Sequence, residues 1–216
     1  MKHAVAGRVV AVVVACSFAC GVARAEKPGA VVVGSALSVP VGRATGATGD
    51  GVRELLGNAS HTTIGARLHL APRARLAIDA GLEIGQAGPA MRRVCFVYDA
   101  TCLLLGGTLS LDVEVPLVIR RGWELWAREG VGVEIVAAGA VTDAPEVMLI
   151  GFDHLRPGVG VDFRVSERHR LGVFTQASIG TYAFVRTTSD PDGAPRGIGD
   201  QGVHARLALG ARWVIE

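Results

Sequence analysis

The stretch RLAIDAGLEIG, residues 75–85, sets Leu76, Ile78, Ala80, Leu82 and Ile84 on alternate positions, with Ala77, Asp79, Gly81, Glu83 and Gly85 between them. A period of two is the repeat of a β-strand, whose side chains point in turn to opposite faces. One face of this strand is apolar and the other carries acids and glycine. Two environments accept such a strand. One is a sheet with one face in water. The other is a closed barrel with lipid outside and a polar lumen.

The pattern recurs along the chain. In 62–70, Thr62, Ile64, Ala66, Leu68 and Leu70 oppose Thr63, Gly65, Arg67 and His69. In 105–115, Leu105, Gly107, Leu109, Leu111, Val113 and Val115 oppose Gly106, Thr108, Ser110, Asp112 and Glu114. In 155–165, Leu155, Pro157, Val159, Val161, Phe163 and Val165 oppose Arg156, Gly158, Gly160, Asp162 and Arg164. In 203–215, Val203, Ala205, Leu207, Leu209, Ala211, Trp213 and Ile215 oppose His204, Arg206, Ala208, Gly210, Arg212 and Val214. Three further segments alternate less cleanly. Residues 30–41 read as a first strand. Residues 123–136 put Leu125, Ala127, Val131, Val133 and Ile135 outward, with Glu129 on the apolar face. Residues 170–184 fit either phase. With 75–85 the total is eight strands.

The connections alternate in length. APRA, VIRRG and SERH are short, whereas GRATGATGDGVRELLGNAS, the cysteine-bearing segment before residue 103 and RTTSDPDGAPRGIGDQG are long; AGAVTDAPE is intermediate. Short turns at one end and long loops at the other are the habit of outer-membrane barrels. In hydrocarbon every backbone N–H and C=O must be paired, so a sheet enters only as a closed barrel. About 9 to 11 residues per strand suffice to cross. The predicted fold is an all-β, eight-stranded antiparallel up-and-down transmembrane β-barrel. Its lumen-facing charges are Arg67, Asp79, Glu83, Asp112, Glu114, Arg156, Asp162, Arg164, Arg206 and Arg212. An eight-stranded barrel is just wide enough inside for side chains, so these charges are expected to pair across a plugged lumen.

Composition agrees. Of 216 residues, 29 are glycine, about twice the usual share of ~7%, which disfavours long helices. No segment after the N-terminus has 18 uncharged apolar residues in a row, so a membrane helix is not expected. Residues 1–25 read as a secretory signal: Lys2, His3 and Arg8 precede a short apolar core, and Ala23 and Ala25 stand at −3 and −1 of a cut before Glu26. A competing cut at Cys16 resembles a bacterial lipoprotein box. Cleavage after Ala25 removes Lys2, Arg8 and Arg24 and no acid, so residues 26–216 carry one more acid than base. A near-neutral chain has no electrostatic case for nucleic acid. Cys95 and Cys102 remain, and in an oxidising compartment a local disulfide is the expected state.

These features resemble the small outer-membrane β-barrel family, the OmpA- and OmpX-like eight-stranded barrels. The likeness covers roughly residues 26–216 and rests on the sorted strands, on PGVGVDFRV (157–165) and on the terminus GARWVI (210–215). The terminus is similar to the family's assembly signal, with Gly210, Trp213 and Ile215 in its positions; the added Glu216 departs from the usual aromatic end. The resemblance implies a protein of the bacterial cell outer membrane. Its partners would be outer-membrane lipid, the barrel-assembly machinery and a surface partner met through loops 42–60, 86–102 and 185–201. Trp123, Phe163 and Trp213 lie outward near the short turns, where interface anchors belong.

A catalytic site is not expected. The histidines His61, His69, His154, His169 and His204 form no His-x-Ser pattern of the lipid A deacylase kind. His69 and His204 fall on lumen faces as structural histidines, while His61 and His169 lie near strand ends. Asp112 with Glu114, and Asp79 with Glu83, could suggest acid–base or metal work, but lumen carboxylates in a small barrel more often meet arginine. GATGDG (46–51) lacks the Lys-Ser/Thr of a phosphate loop. NAS (58–60) is a chance sequon, and DPDG (190–193) is turn chemistry. No cofactor is expected. The leading expectation is a structural or surface-interaction role. Its rivals are a secreted soluble β-barrel binding a small apolar ligand, and a narrow channel.

Overall fold

The computed structural model describes residues 29–43, 51–71, 73–140, 146–187, 196–199 and 201–216. The signal sequence expected over residues 1–25, with its alternative cut at Cys16, and the turn at 190–193 lie outside these residues. The elements are β1 (Ala30–Gly42), α1 (Val52–Leu55), β2 (Leu56–Ala71), β3 (Ala74–Ala87), α2 (Pro89–Val97), β4 (Cys102–Ile119), β5 (Trp123–Ala140), β6 (Glu146–Leu155), β7 (Gly158–Arg164), β8 (His169–Thr187), β9 (Arg196–Gly197) and β10 (Val203–Ile215).

The strands form a closed antiparallel ring. Successive staves pair side by side, and β10 closes on β1 from Val31↔Ile215 to Gly42↔His204. β6 and β7 are two halves of one stave: β5 pairs with β7 through Trp123–Arg128 and with β6 through Gly132–Gly139. β8 pairs with both halves in the same way. The ring is therefore eight staves, an up-and-down transmembrane β-barrel. Closure removes the sheet edge whose unpaired backbone lipid could not satisfy.

The two faces separate by chemistry. Leu109, Leu111, Val113 and Val115 of β4 point outward, and Thr108, Ser110, Asp112 and Glu114 are buried between them. β3 places Leu82 and Ile84 outside and Asp79 and Glu83 inside. This overturns the soluble ligand-binding alternative. Such a barrel needs an apolar interior and a polar exterior, and the chain has the reverse.

Aromatics mark the short-turn rim. Trp123 and Phe163 face each other across β5 and β7, both exposed on the outer surface. Trp213 lies outward on β10 and donates its indole N–H to Nδ1 of His169 at 3.2 Å.

The sixth stave is longer than the sequence indicated. It begins at Glu146 rather than near Leu155, and it breaks at Arg156–Pro157. Proline has no N–H to give to a ladder, so it is confined to edges, bulges and breaks where that donor is not needed. The interruption leaves the Arg156 N–H without a strand partner, and Oε1 of Glu129, from the outer face of β5, accepts it at 2.7 Å. The sequence placed Glu129 on the apolar face without a purpose. Its position beside the break supplies one.

At the other end the loops carry structure. α1 and α2 pack together, with the Gly88 N–H donating to the Leu55 carbonyl at 2.8 Å. Val52 of α1 and Met91 of α2 join Leu56, Leu104, Val136, Leu149 and Tyr182 in one buried apolar cluster. The long-loop end of the lumen is thus stoppered by hydrophobic side chains. Cys95 in α2 is bonded to Cys102 at the start of β4, which ties the stopper to the wall.

Candidate functional site

The lumen is filled by ionised side chains in tiers. Acids and arginines on inward positions cannot stay unpaired at low dielectric, because an isolated buried charge costs many kcal/mol. The tiers meet that demand by sharing.

Nearest the short turns, Arg75 donates to both oxygens of Glu124 at 2.6 and 2.9 Å, and Arg170 donates to Oε2 of Glu124 at 2.8 Å. Arg170 also meets Glu216 at 2.7 Å. One layer further in, Arg212 bridges Glu114 and Asp162. Its Nη1 donates to Oε2 of Glu114 at 2.6 Å, and its Nη2 and Nε take the two oxygens of Asp162 at 2.6 and 2.9 Å. The Arg212 guanidinium lies 3.6 Å from the centre of the buried Trp126 ring, a cation–π contact. Glu114 also lies 3.2 Å from Arg75 and 3.4 Å from Arg67.

In the middle, Arg67 grips Asp79 through both oxygens at 2.6 and 3.2 Å, and Arg128 reaches Oδ2 of Asp79 at 3.1 Å. Arg128 also donates to Gln176. Glycine makes the room: a Cβ at Gly65 would run into Oδ1 of Asp79, and one at Gly172 into Oδ1 of Asp162. Arg156 donates to Oδ2 of Asp153 at 2.5 Å and lies 3.5 Å from Asp112.

The inner tier below the apolar stopper joins Glu83, Glu134, Asp153, His204 and Arg206. Ser38 donates to Glu83 at 2.6 Å, and Arg206 pairs with Glu83. Arg206 Nε stands 3.2 Å from Oε2 of Glu134. His204 Nε2 lies 2.7 Å from Oε1 of Glu134, and Tyr182 stacks on the imidazole with ring centres 4.0 Å apart.

Nine of the ten residues placed in the lumen from sequence are buried there: Arg67, Asp79, Glu83, Asp112, Glu114, Arg156, Asp162, Arg206 and Arg212. Arg164 is a correction. It keeps the inward parity of its strand but is the last residue of β7, opposite Arg170, and it is exposed at the open mouth beside Arg120, Arg121 and Trp123. A strand end outside the enclosed length leaves its side chain in water whatever its phase. His69 is exposed at the same rim for the same reason. His61, expected near a strand end, instead points into the lumen and meets Thr108 at 3.2 Å. Gly210 and Trp213 sit in the β10 ladder opposite Ala36 and Val33, and Ile215 closes it opposite Val31.

Sequence reading missed Arg75, Glu124, Trp126, Arg128, Glu134, Asp153, Arg170 and Tyr182. The signal for β5 was present: with Leu125 and Ala127 outward, parity puts Glu124, Trp126, Arg128 and Glu134 inward. The phase of 170–184 was ambiguous, because Phe174 and Tyr182 are aromatic yet buried in the lumen, where arginine and histidine cover their faces.

No family model and no curated protein matches the sequence. Solved structures do resemble the fold. A major outer membrane protein from Thermus thermophilus aligns with a TM-score of 0.52 at 14% identity, over 88% of this chain and 100% of that one. Neisserial surface protein A aligns at 0.51 and 11% identity, over 85% and 95%. The attachment invasion locus protein of Yersinia pestis aligns at 0.47 and 10% identity, over 87% and 97%. At such identities the likeness is one of architecture. The chain has the fold of the small outer-membrane β-barrels.

Proposed function

We propose that the chain is a closed barrel of the bacterial outer membrane with a structural or surface-interaction role, non-enzymatic, and not a pore. The closed lumen carries this reading. Along its axis run ion-paired tiers, then an apolar stopper made by α1, α2 and the strand ends. A water path would need space that these side chains occupy.

The short turns and both termini belong on the periplasmic side, and the long loops on the cell surface, as in barrels of this shape. The lipid contact is the belt of Leu, Val and Ile on the outer face, and the assembly machinery would read β10 with Gly210, Trp213 and Ile215. Among the described residues, α2 presents an apolar end at the surface. Its tip exposes Phe96, Val97 and Tyr98 beyond the buried Met91 and Cys95. The stretches offered from sequence as contact loops therefore divide: part plugs the lumen and part projects.

Two measurements test the reading. Cell fractionation should recover the protein with the outer membrane in a heat-modifiable form. Recovery in the soluble periplasm would end the membrane reading. Planar-bilayer recording should show no resolved single-channel steps; steady openings would favour the narrow channel instead.

A further inference from the structure

We infer that Glu134, Asp153 and His204 form a buried binding site for one divalent transition-metal cation of the zinc type. The inference does not depend on what the surface loops touch.

The three side chains come from three staves: β5, β6 and β10. Asp153 and His204 both stand opposite Gly180 of β8, one across each edge. A Cβ at Gly180 would press on the backbone of Phe152 and Asp153. Glycine there lets the β6 backbone that carries Asp153 lie close against β8, the strand it shares with His204. One donor atom from each of the three lies within 4.8 Å of the others.

The orientation of the oxygens is the second observation. Each carboxylate turns one oxygen to an arginine and the other to His204. Asp153 gives Oδ2 to Arg156 at 2.5 Å and leaves Oδ1 3.9 Å from His204 Nε2. Glu134 gives Oε2 to the side of Arg206 at 3.2 Å and leaves Oε1 2.7 Å from the same nitrogen. Arg156 fixes the outer oxygen of Asp153 by a hydrogen bond, while Arg206 stands beside that of Glu134 as an ion pair, and outer-shell partners of this kind orient metal ligands.

Oε1 of Glu134, Oδ1 of Asp153 and both ring nitrogens of His204 lack any hydrogen-bond partner, although all three residues are at most 2% exposed. The contact between Nε2 and Oε1 is close but does not have the alignment of an N–H donor. Buried polar atoms left in this state bear their full desolvation cost with nothing to offset it. A cation at the shared centre satisfies Oε1, Oδ1 and Nε2 together.

Charge points the same way. Among the described residues, the arginine ion pairs of Glu83, Glu134 and Asp153 are with Arg206 and Arg156 alone. A neutral imidazole with two carboxylates offsets a divalent cation. Imidazole nitrogen with carboxylate oxygen suits zinc, with metal–ligand distances of roughly 2.0–2.2 Å. The rival occupant is a proton on His204, which would make a simple ion pair with Glu134.

A site this enclosed must be filled as the barrel closes. The test is to refold the full chain from denaturant into detergent micelles with zinc sulfate, and separately with a chelator. Free metal is removed, zinc per chain is measured by elemental analysis, and folding is followed by heat-modifiable gel mobility. The expected result is about one zinc per folded chain, resistant to EDTA until the sample is boiled. His204→Gln and Asp153→Asn should lower retained zinc at least tenfold at equal folded fraction, and the outward His154→Gln should retain it fully. Less than a tenth of a zinc per wild-type chain would overturn the site and leave the protonated histidine. So would undiminished zinc in folded His204→Gln. If the lumen variants fail to fold, X-ray absorption on the zinc-loaded wild type decides. One imidazole among oxygen ligands supports the site, and two or more imidazoles place the metal elsewhere and refute it.

Discussion

Replacing Arg212 by methionine isolates how the lumen shares charge. Arg212 is the sole ion-pair partner of Asp162 among the described residues, holding both its oxygens at 2.6 and 2.9 Å. Glu114 is different: when Arg212 is lost it keeps Arg75 at 3.2 Å and Arg67 at 3.4 Å. Methionine preserves apolar volume against Trp126, so the damage is chiefly an orphaned Asp162 carboxylate at 1% exposure. Removing one partner of a buried ion pair costs about 3–5 kcal/mol. Arg212→Met should therefore lose about 3–5 kcal/mol of unfolding free energy. Adding Asp162→Asn removes the stranded charge, and the double variant should recover at least ~2 kcal/mol of that loss. By contrast, Glu114→Gln leaves Arg212 on Asp162, Arg67 on Asp79 and Arg75 on Glu124, and should cost less than Arg212→Met. The assay is guanidinium unfolding in detergent or lipid vesicles, read by gel mobility shift and by tryptophan fluorescence, since Trp126 lies under the guanidinium. A loss below about 1 kcal/mol for Arg212→Met, or a double variant no more stable than the single, would refute the shared-charge account.

Three shorter predictions concern the wall and the stopper. Glu129→Leu makes the outer face more apolar yet strips the acceptor from the Arg156 N–H, so it should destabilise by about 1–3 kcal/mol, while Glu129→Gln keeps an oxygen and should be milder; a leucine variant at least as stable as the wild type would dismiss the role given to Glu129. Gly65→Val places a branched side chain against Asp79 and the Ile78 carbonyl, and overpacking of about 1–3 kcal/mol or failure to fold should show on gel mobility. Reducing the Cys95–Cys102 bond, which closes a short loop, should loosen α2 by about 2–3 kcal/mol and open Arg92 and Arg93 to trypsin without dissolving the barrel; unchanged cleavage would mean the apolar packing alone holds the helix.

How far the fold could be read from sequence depended on what lies on each side of a strand. Where the lumen is charged, parity is unmistakable: β3, β4 and β10 have the faces that their residues dictate. Under the stopper the inner wall is apolar as well as the outer. Leu149 faces in and Phe152 faces out, so EVMLIGFDHL shows no alternation and the upper half of the sixth stave was invisible. The same cause hid the first residues of β2, where Leu56 belongs to the stopper. The helices α1 and α2 were read as loop because their apolar residues are few and serve a lid rather than a core of their own.

The candidate site was legible in residue type but not in partnership. Lumen charge of both signs is written into the strands, and pairing was expected from the narrowness of an eight-stranded barrel. Which acid meets which arginine depends on the stagger between staves, and stagger is fixed by backbone pairing that no single strand records. Arg212 and Glu114 are 98 residues apart, and Arg206 and Glu83 are 123 apart. The convergence of Asp153 and His204 is harder still to foresee, because both meet the same residue, Gly180, from opposite edges of β8. Alternation can assign Gly180 to the inner face, but only the assembled ring shows that Asp153 and His204 flank it and that its bare Cα lets the β6 backbone come close.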